Sequence, residues 1–171
     1  ELKMVSSAAL EQALRSFADS YAKKTGNTVS FVFSNPADLE KNIAENHPDI
    51  VAGATSAIAD LKKSGKVVSG PAVPLARVGL GVIVRQGYPT PDISTPEAFK
   101  KAVMSAPRVF YNNIDLPNSS GAVTAKILTK AGILKPFLAR GKQLGTRDGK
   151  IALQKGETDL GFANISETDG Q

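Results

Sequence analysis

The chain has 171 residues, 42% hydrophobic and 22% charged, with 15 Gly and 10 Pro dispersed along it, the balance of a globular protein of one domain or two small lobes. It contains no Cys, which excludes disulfides, thiolate metal sites and Cys nucleophiles within this sequence, and no stretch approaches the roughly 20 apolar residues of a membrane span. A net charge of +5 raises nucleic acid as a partner, but no Trp, 3 Tyr and 7 Phe leave little material for base stacking. In chain order, residues 2–5 predict a short strand. After Ser6-Ser7, the apolar residues Leu10, Ala13, Leu14, Phe17, Ala18 and Tyr21 recur at three- and four-residue spacing and predict an amphipathic helix. Lys23-Lys24 before Thr25-Gly26, and Lys62-Lys63 before Ser64-Gly65, read as last-turn cations ahead of a glycine stop. Placed so, these lysines answer helix dipoles rather than a nucleic-acid or membrane surface. Residues 28–33 predict a second strand, followed by Ser34-Asn35-Pro36 as cap and first-turn proline of a helix through Leu39 and Ile43. Residues 49–52 predict a third strand, leading through Gly53-Ala54-Thr55-Ser56 into a helix bearing Ile58 and Leu61. The first part of the chain is thus a run of βα units.

Between 67 and 87 the pattern changes to Val67-Val68, a link punctuated by Pro71 and Pro74, and a strand-like run over 77–84, the expected crossover between lobes. Arg77, inside that run, is expected to form a buried structural pair rather than to serve as a binding cation. Thr95-Pro96-Glu97 supplies cap, first-turn proline and acidic residue for a helix with Ala98, Phe99, Ala102 and Val103 on its apolar side. Residues 109–111 predict a strand, and the polar loop 112–121 ends in Asn118-Ser119-Ser120-Gly121 before a helix bearing Val123, Ile127 and Leu128. A helix over 149–155 stopped by Gly156, and a last strand over 159–165, complete the pattern. The expected organisation is lobe I over 1–77, lobe II over 78–165, and 166–171 as the start of a return crossover.

Four predicted strand-to-helix junctions carry small or hydroxyl residues: Ser6-Ser7-Ala8-Ala9, Ser34-Asn35, Thr55-Ser56 and 118–121. In an open α/β sheet such junctions gather at the carboxyl edge of the strands, where ligands bind. Unpaired N–H groups and the positive dipole end of a helix make an anion site there without Lys or Arg. Any one Ser or Asn alone reads as a simple cap; several in one chain point to a shared anion site. Arg147, before Asp148-Gly149, is either a bidentate partner for a carboxylate or oxyanion, or a surface residue paired with its neighbour. Enzyme motifs are lacking. His47, the single histidine, sits in the polar stretch 45–49 and reads as a loop residue. The run 145–150 is one residue short of a phosphate loop and has Ile151 where a hydroxyl residue is required, and Gly79-Leu80-Gly81 lies within a strand-like run rather than after one. The carboxylates show no metal-ligand spacing. The residues therefore imply a binder with no catalytic set, no cofactor and no metal.

With these motifs placed, the chain resembles the molybdate-binding-protein-like group of periplasmic receptors for ABC importers. The resemblance rests on the opening strand with Ser6-Ser7-Ala8-Ala9-Leu10, on Pro48-Asp49-Ile50-Val51, on 75–82 (Leu-Ala-Arg-Val-Gly-Leu-Gly-Val), on 91–97, on Ser119-Ser120-Gly121, and on 156–167 with Gly161-Phe162 and Ile165-Ser166-Glu167. It implies a type II periplasmic-binding-protein-like α/β fold, each lobe a sheet flanked by helices, with an anion held in a cleft between lobes by hydroxyls and backbone N–H groups. Three positions depart from the molybdate-binding members: Ala9 and Pro36 stand where they have ligand serines, and Asn164 where they have a tyrosine. The expected binding set is Ser6, Ser7, Ala8, Ser34, Asn35, Thr55, Ser119, Ser120, Gly121, Arg147 and Asn164. Its side-chain variety exceeds what a spherical oxyanion needs, so the expected ligand is a small organic di- or tricarboxylate, with molybdate, tungstate and sulfate as competitors.

The expected role is an exported, periplasmic or extracellular transport receptor that presents its ligand to the membrane permease of an ABC importer. The alternative is the effector domain of a transcriptional regulator, and an enzyme ranks third. The family's chain also continues past this point and returns to the first lobe. Either this sequence is part of a longer chain or another chain supplies the missing elements, leaving an exposed sheet edge open to swapping into an oligomer.

Overall fold

A computed structural model describes residues 1–168; the end of the expected return crossover, 169–171, lies outside the described residues. The chain forms two compact units that divide between Val78 and Gly79.

In unit 1, three parallel strands, β1 (Leu2–Ser7), β2 (Val29–Ser34) and β3 (Ile50–Ala52), lie in the order β2-β1-β3. Parallel neighbours cannot be joined by a tight turn, so each strand leads into a helix: α1 (Glu11–Thr25) after a 3-10 turn, α2 (Leu39–Asn46) and α3 (Thr55–Lys63). α1 stops where Gly26 takes φ 73°, a left-handed conformation that a side chain disfavours. His47 likewise ends α2 outside the helix. Val5, Leu39 and Leu61 are buried together, with Val32, Ile43, Val51 and Ile58 packed around them. The apolar face predicted for α1 is covered only at Ala18; Phe17 is 66% exposed and stacks on Tyr21 one turn on, ring centroids 6.5 Å apart.

Unit 2 comprises β4 (Leu80–Val84), α4 (Pro96–Ser105), β5 (Val109–Tyr111), α5 (Ser120–Lys130), α6 (Leu134–Leu138), β6 (Gly141–Gln143), α7 (Thr146–Gln154) and β7 (Leu160–Asn164), then a 3-10 turn over Ile165–Glu167. The sheet order is β4-β7-β5-β6, with β4 antiparallel to β7 and the other pairs parallel. α4 starts as its sequence predicts: Thr95 Oγ1 accepts from Ala98 N at 3.1 Å, and Pro96 occupies the first turn. At its other end the Arg140 guanidinium donates to the carbonyls of Met104 and Ala106 at 2.9 and 2.8 Å, meeting acceptors the helix leaves open. Phe137 packs edge-on to Phe162, centroids 5.6 Å apart, at the centre of a core with Val103, Val109, Leu128 and Leu160.

Three features of unit 2 and of the segment leading into it differ from the sequence reading. α6 and β6 were not expected: Pro136 argues against a helix but falls in the first turn, where a missing N–H costs nothing, and β6 is a three-residue edge strand with exposed Lys142 and Gln143. α7 begins three residues before the expected 149. Arg77 is neither in a strand nor buried; the ladder with β7 begins at Leu80↔Asn164, beyond Arg77, which is exposed and takes part in no ion pair among the described residues.

Two packing arrangements hold unit 2 together. Asp159, buried at the start of β7, receives Arg85 Nε on Oδ1 at 2.7 Å, Arg108 Nε on Oδ2 at 2.9 Å and an Arg108 terminal nitrogen on Oδ1 at 2.8 Å. The Arg108 hydrogen bonds lead in lowering its pKa from 3.8 to about 2 against the cost of burial. The second arrangement is steric. The Phe110 ring lies so close to Gly149 of α7 and Gly161 of β7 that a Cβ on either glycine would stand 2.1 Å from a ring carbon.

Both arrangements are testable by urea unfolding. Because the folded Asp159 carboxyl ionises below its ordinary value, its stabilisation is complete above about pH 4 and lost as pH falls towards about 2. It amounts to at most about 2 kcal/mol, reduced by solvent reaching the partly exposed guanidinium groups. Asp159→Asn is expected to lose this at neutral pH and to flatten the stability profile between pH 4 and 2; an unchanged profile would contradict the assignment. Gly149→Ala and Gly161→Ala are each expected to cost about 1–3 kcal/mol by overpacking against Phe110. Combining Gly149→Ala with Phe110→Leu should recover part of that loss.

Candidate functional site

In unit 1 the parallel register places the exits of all three strands on one edge: Ser7 pairs with Ser34 and Ser6 with Ala52. The predicted residues there divide by what their polar atoms already do. Ser6 is fully buried and its hydroxyl donates to Ser7 O at 3.3 Å. Ser34, also buried, donates to Asn35 O at 2.9 Å and accepts from Asn42 Nδ2 at 3.0 Å. Asn35 Oδ1 accepts from the N–H groups of Ala37 and Asp38 at 3.0 and 3.1 Å, the local cap that its residue type favours. These three are engaged within the unit. Ala8, opening the 3-10 turn after Ser7 at the end of β1, and Thr55, opening α3, stand at helix starts with no side-chain cap, so their N–H groups have no intrahelical acceptor.

In unit 2 the exits of β5, β6 and β7 share an edge for the same reason, and here the structure builds a connected cluster. Asn112, the first residue after β5, donates from Nδ2 to Ser120 Oγ at 2.6 Å and to Thr146 Oγ1 at 3.1 Å. One amide thereby joins the first residues of α5 and α7. Thr146 Oγ1 in turn approaches Glu167 Oε2 at 3.5 Å, Asn164 hydrogen-bonds the same carboxyl, and Lys150 Nζ donates to Glu167 O at 2.9 Å. Burial pushes the Glu167 carboxyl above the ordinary glutamate range, against the hydrogen bonds from Asn164 and Thr146 and the charge of Lys150. Asn112 Oδ1 is buried and accepts no hydrogen bond among the described residues.

Close backbone approach makes the cluster possible. A Cβ on Gly121, the second residue of α5, would lie 2.1 Å from Asn113 O, so only glycine lets that helix start settle on the strand exit. Ser119 caps α5 by accepting from Ala122 N at 3.1 Å and donates to Leu116 O at 2.6 Å, which commits its hydroxyl to the turn. The N–H groups of Ser120 and Gly121 have no intrahelical acceptor, and those of Thr146, Arg147 and Asp148 are in the same position in α7, whose start has no side-chain cap. Arg147 is exposed and takes no part in an ion pair among the described residues, so the pairing with its neighbour Asp148 is not formed.

Of the predicted set, then, Ser120, Gly121, Arg147 and Asn164 share the unit 2 edge, and Ser7, Ala8 and Thr55 the unit 1 edge, whereas Ser6, Ser34, Asn35 and Ser119 serve their own turns. Asn112, Thr146 and Glu167 were missed. Their available signal was position: each is a polar residue immediately past a predicted strand or beside a predicted helix start. A groove of about 410 Å³ in unit 1, lined by Lys3, Phe31, Glu45 and His47 among others, lies towards the opposite ends of β1 and β2 and contains none of the predicted residues. Among the described residues there is no His, Asp and Glu cluster suited to a metal ion, and no helix long and apolar enough to cross a membrane.

Chemically, the unit 2 edge offers two helix N-termini, a hydroxyl whose oxygen is already satisfied and whose hydrogen is free to donate, and an exposed guanidinium. That is equipment for holding an anion. A family model described as bacterial extracellular solute-binding protein matches residues 2–170. An aconitate isomerase from a Pseudomonas species is 30% identical over 173 residues, covering 97% of this chain; the chain spans 64% of that relative's length. Among solved structures, the periplasmic molybdate-binding protein of Azotobacter vinelandii is similar with a TM-score of 0.76 at 20% identity, over 96% of this chain and 71% of its own. The tungstate ABC transporter structure from Geobacter sulfurreducens gives 0.69 at 14% identity, over 96% and 72%. At such identities the structural likeness establishes the α/β fold of the two-lobed periplasmic binding proteins. With the family model matched along nearly its whole length, the chain belongs to the bacterial extracellular solute-binding proteins.

Proposed function

We propose that this chain is the ligand-holding part of an exported receptor for an ABC-type importer, and that its ligand is a small organic di- or tricarboxylate which it binds without altering. The observation that carries the reading is the Asn112 amide donating to both Ser120 and Thr146, which gathers two helix starts at one strand edge beside the exposed Arg147. Because Asn112 donates to the Ser120 oxygen, that hydroxyl can direct its own hydrogen to a ligand. Helix N–H groups neutralise an anion without the hydration penalty of burying a lysine, and Arg147 adds a planar fork suited to a carboxylate. Unit 1 has uncapped helix starts at Ala8 and Thr55 on its own edge. Ala9, Pro36 and Asn164 lack the hydroxyls or N–H of the molybdate-type shell, which favours an organic anion over molybdate, tungstate or sulfate. The Pseudomonas relative is named for aconitate, an unsaturated tricarboxylate, which supports the same class. Delivery to a membrane permease follows from the family's role.

Isothermal titration of carboxylates and oxyanions tests this. Tricarboxylates are expected to bind at least about tenfold more tightly than molybdate, tungstate or sulfate. Arg147→Ala is expected to weaken carboxylate binding about tenfold or more, the worth of a charge-assisted hydrogen bond. Tight molybdate binding without a carboxylate response would refute the ligand class.

The 30% identity to an isomerase favours one second reading, in which the chain interconverts aconitate isomers. Proton NMR of cis-aconitate incubated with the chain separates the two: the receptor reading expects the spectrum to remain that of the starting isomer, and accumulation of the trans isomer above a protein-free control would establish turnover.

A further inference from the structure

The polar atoms at the unit 2 edge are of two kinds. Ser120, whose oxygen already accepts from Asn112 and whose hydrogen has no acceptor among the described residues, and the first-turn N–H groups of α5 and α7 offer donors to a ligand. The other two groups are acceptors. Asn112 Oδ1 is buried with no donor among the described residues, and the half-buried Glu167 carboxyl stands against Thr146 at 3.5 Å and Asn164 beside it. A site for a fully ionised oxyanion such as sulfate has no use for acceptors: the anion carries no hydrogen to give them, and a carboxylate beside it is repulsive. A ligand with its own donor satisfies both kinds at once, and a buried acceptor left without a donor penalises the ligand that lacks one.

We propose that the unit 2 edge selects organic acids that bring a hydrogen-bond donor, either a hydroxyl group or a carboxyl that keeps its proton, and that Glu167 is the residue that sets this preference by accepting that hydrogen. The inference rests on the carboxylate-binding reading above and narrows it. The contact is a single hydrogen bond from the ligand to the Glu167 carboxylate, and no covalent bond breaks. Lys150 Nζ donates to the Glu167 carbonyl, and its charge with the hydrogen bonds from Thr146 and Asn164 holds the Glu167 carboxyl, which as a carboxylate keeps acceptor capacity for one further donor.

The test uses pairs of acids that differ by one hydroxyl, citrate against tricarballylate and malate against succinate, with sulfate as an anion without a donor at neutral pH. Titrated into the full chain at pH 7.5, citrate and malate are expected to bind about tenfold more tightly than their partners, the worth of one hydrogen bond to a charged acceptor. In Glu167→Gln, where a donor replaces half of the acceptor pair, the ratio should shrink to within about twofold and sulfate should bind about tenfold more tightly. Glu167→Met, similar in length and without an acceptor, is read alongside and should lose the same preference. Equal binding within each pair by the unaltered chain, or a preference that survives in either variant, overturns the inference while leaving carboxylate binding intact. Absence of binding by all four acids removes the carboxylate reading and this inference with it.

Discussion

The unit 2 edge depends on how closely two helices can approach the exit of one short strand. β5 is three residues long, yet Phe110 within it and the Asn112-Asn113 backbone just past it meet three glycines: Gly161 of β7, Gly149 of α7 and Gly121 of α5. Phe110 and Asn112 are two apart and so project to the same face. The ring seats against Gly149, and one turn earlier in α7 Thr146 comes within reach of the Asn112 amide. A methyl group at Gly149 would lift that helix start away from the strand, and one at Gly121 would do the same for α5. The polar cluster is thus a consequence of apolar packing directly beneath it.

Electrostatics then divide the unit between stability and recognition. Asp159 and its two arginines sit at the amino end of β7, where Asp159 is held ionised to about pH 2. Glu167 follows the carboxyl end of the same strand, where burial outweighs its partners and raises its pKa. One carboxylate is matched by two guanidinium groups and does structural work; the other is under-matched at an edge that also holds an unpaired arginine and two helix N-termini. The two carboxylates at opposite ends of β7 are thus shifted in opposite directions, by paired guanidinium groups in one case and by burial in the other. The serines divide as well, since Ser6, Ser34 and Ser119 spend their hydroxyls on nearby backbone whereas Ser120 does not.

Much of this was legible from residue order. Thr95-Pro96-Glu97 and Lys23-Lys24 with Gly26 mark helix ends through local chemistry, and the structure places them there because caps act within one turn and need no tertiary information. Strand periodicity found β5 to the residue. What failed was non-local. β6 has no apolar pattern because it is an edge strand, and Arg77 looked like part of a strand because its neighbours are apolar, although the ladder partner ends at Asn164. In the candidate site, junction chemistry pointed to the strand-exit edges, but it could not tell a serine that caps its own helix from one that is left available. That distinction turns on Asn112, whose importance comes from reaching Thr146, 34 residues away in sequence.

The chain belongs to the bacterial extracellular solute-binding proteins and shares a fold with proteins named for molybdate and tungstate, and the organic-acid ligand proposed above rests on its own residues and on the aconitate-named relative. The claim that joins these is physical: an anion is held by backbone amides at the starts of α5 and α7. Backbone amide NMR of the ¹⁵N-labelled chain titrated with citrate tests it most directly. The largest shift changes should fall on the amides of Ser120, Gly121, Thr146, Arg147 and Asp148. Changes confined to the groove around Lys3, Phe31 and His47, with those five amides unmoved, would contradict it.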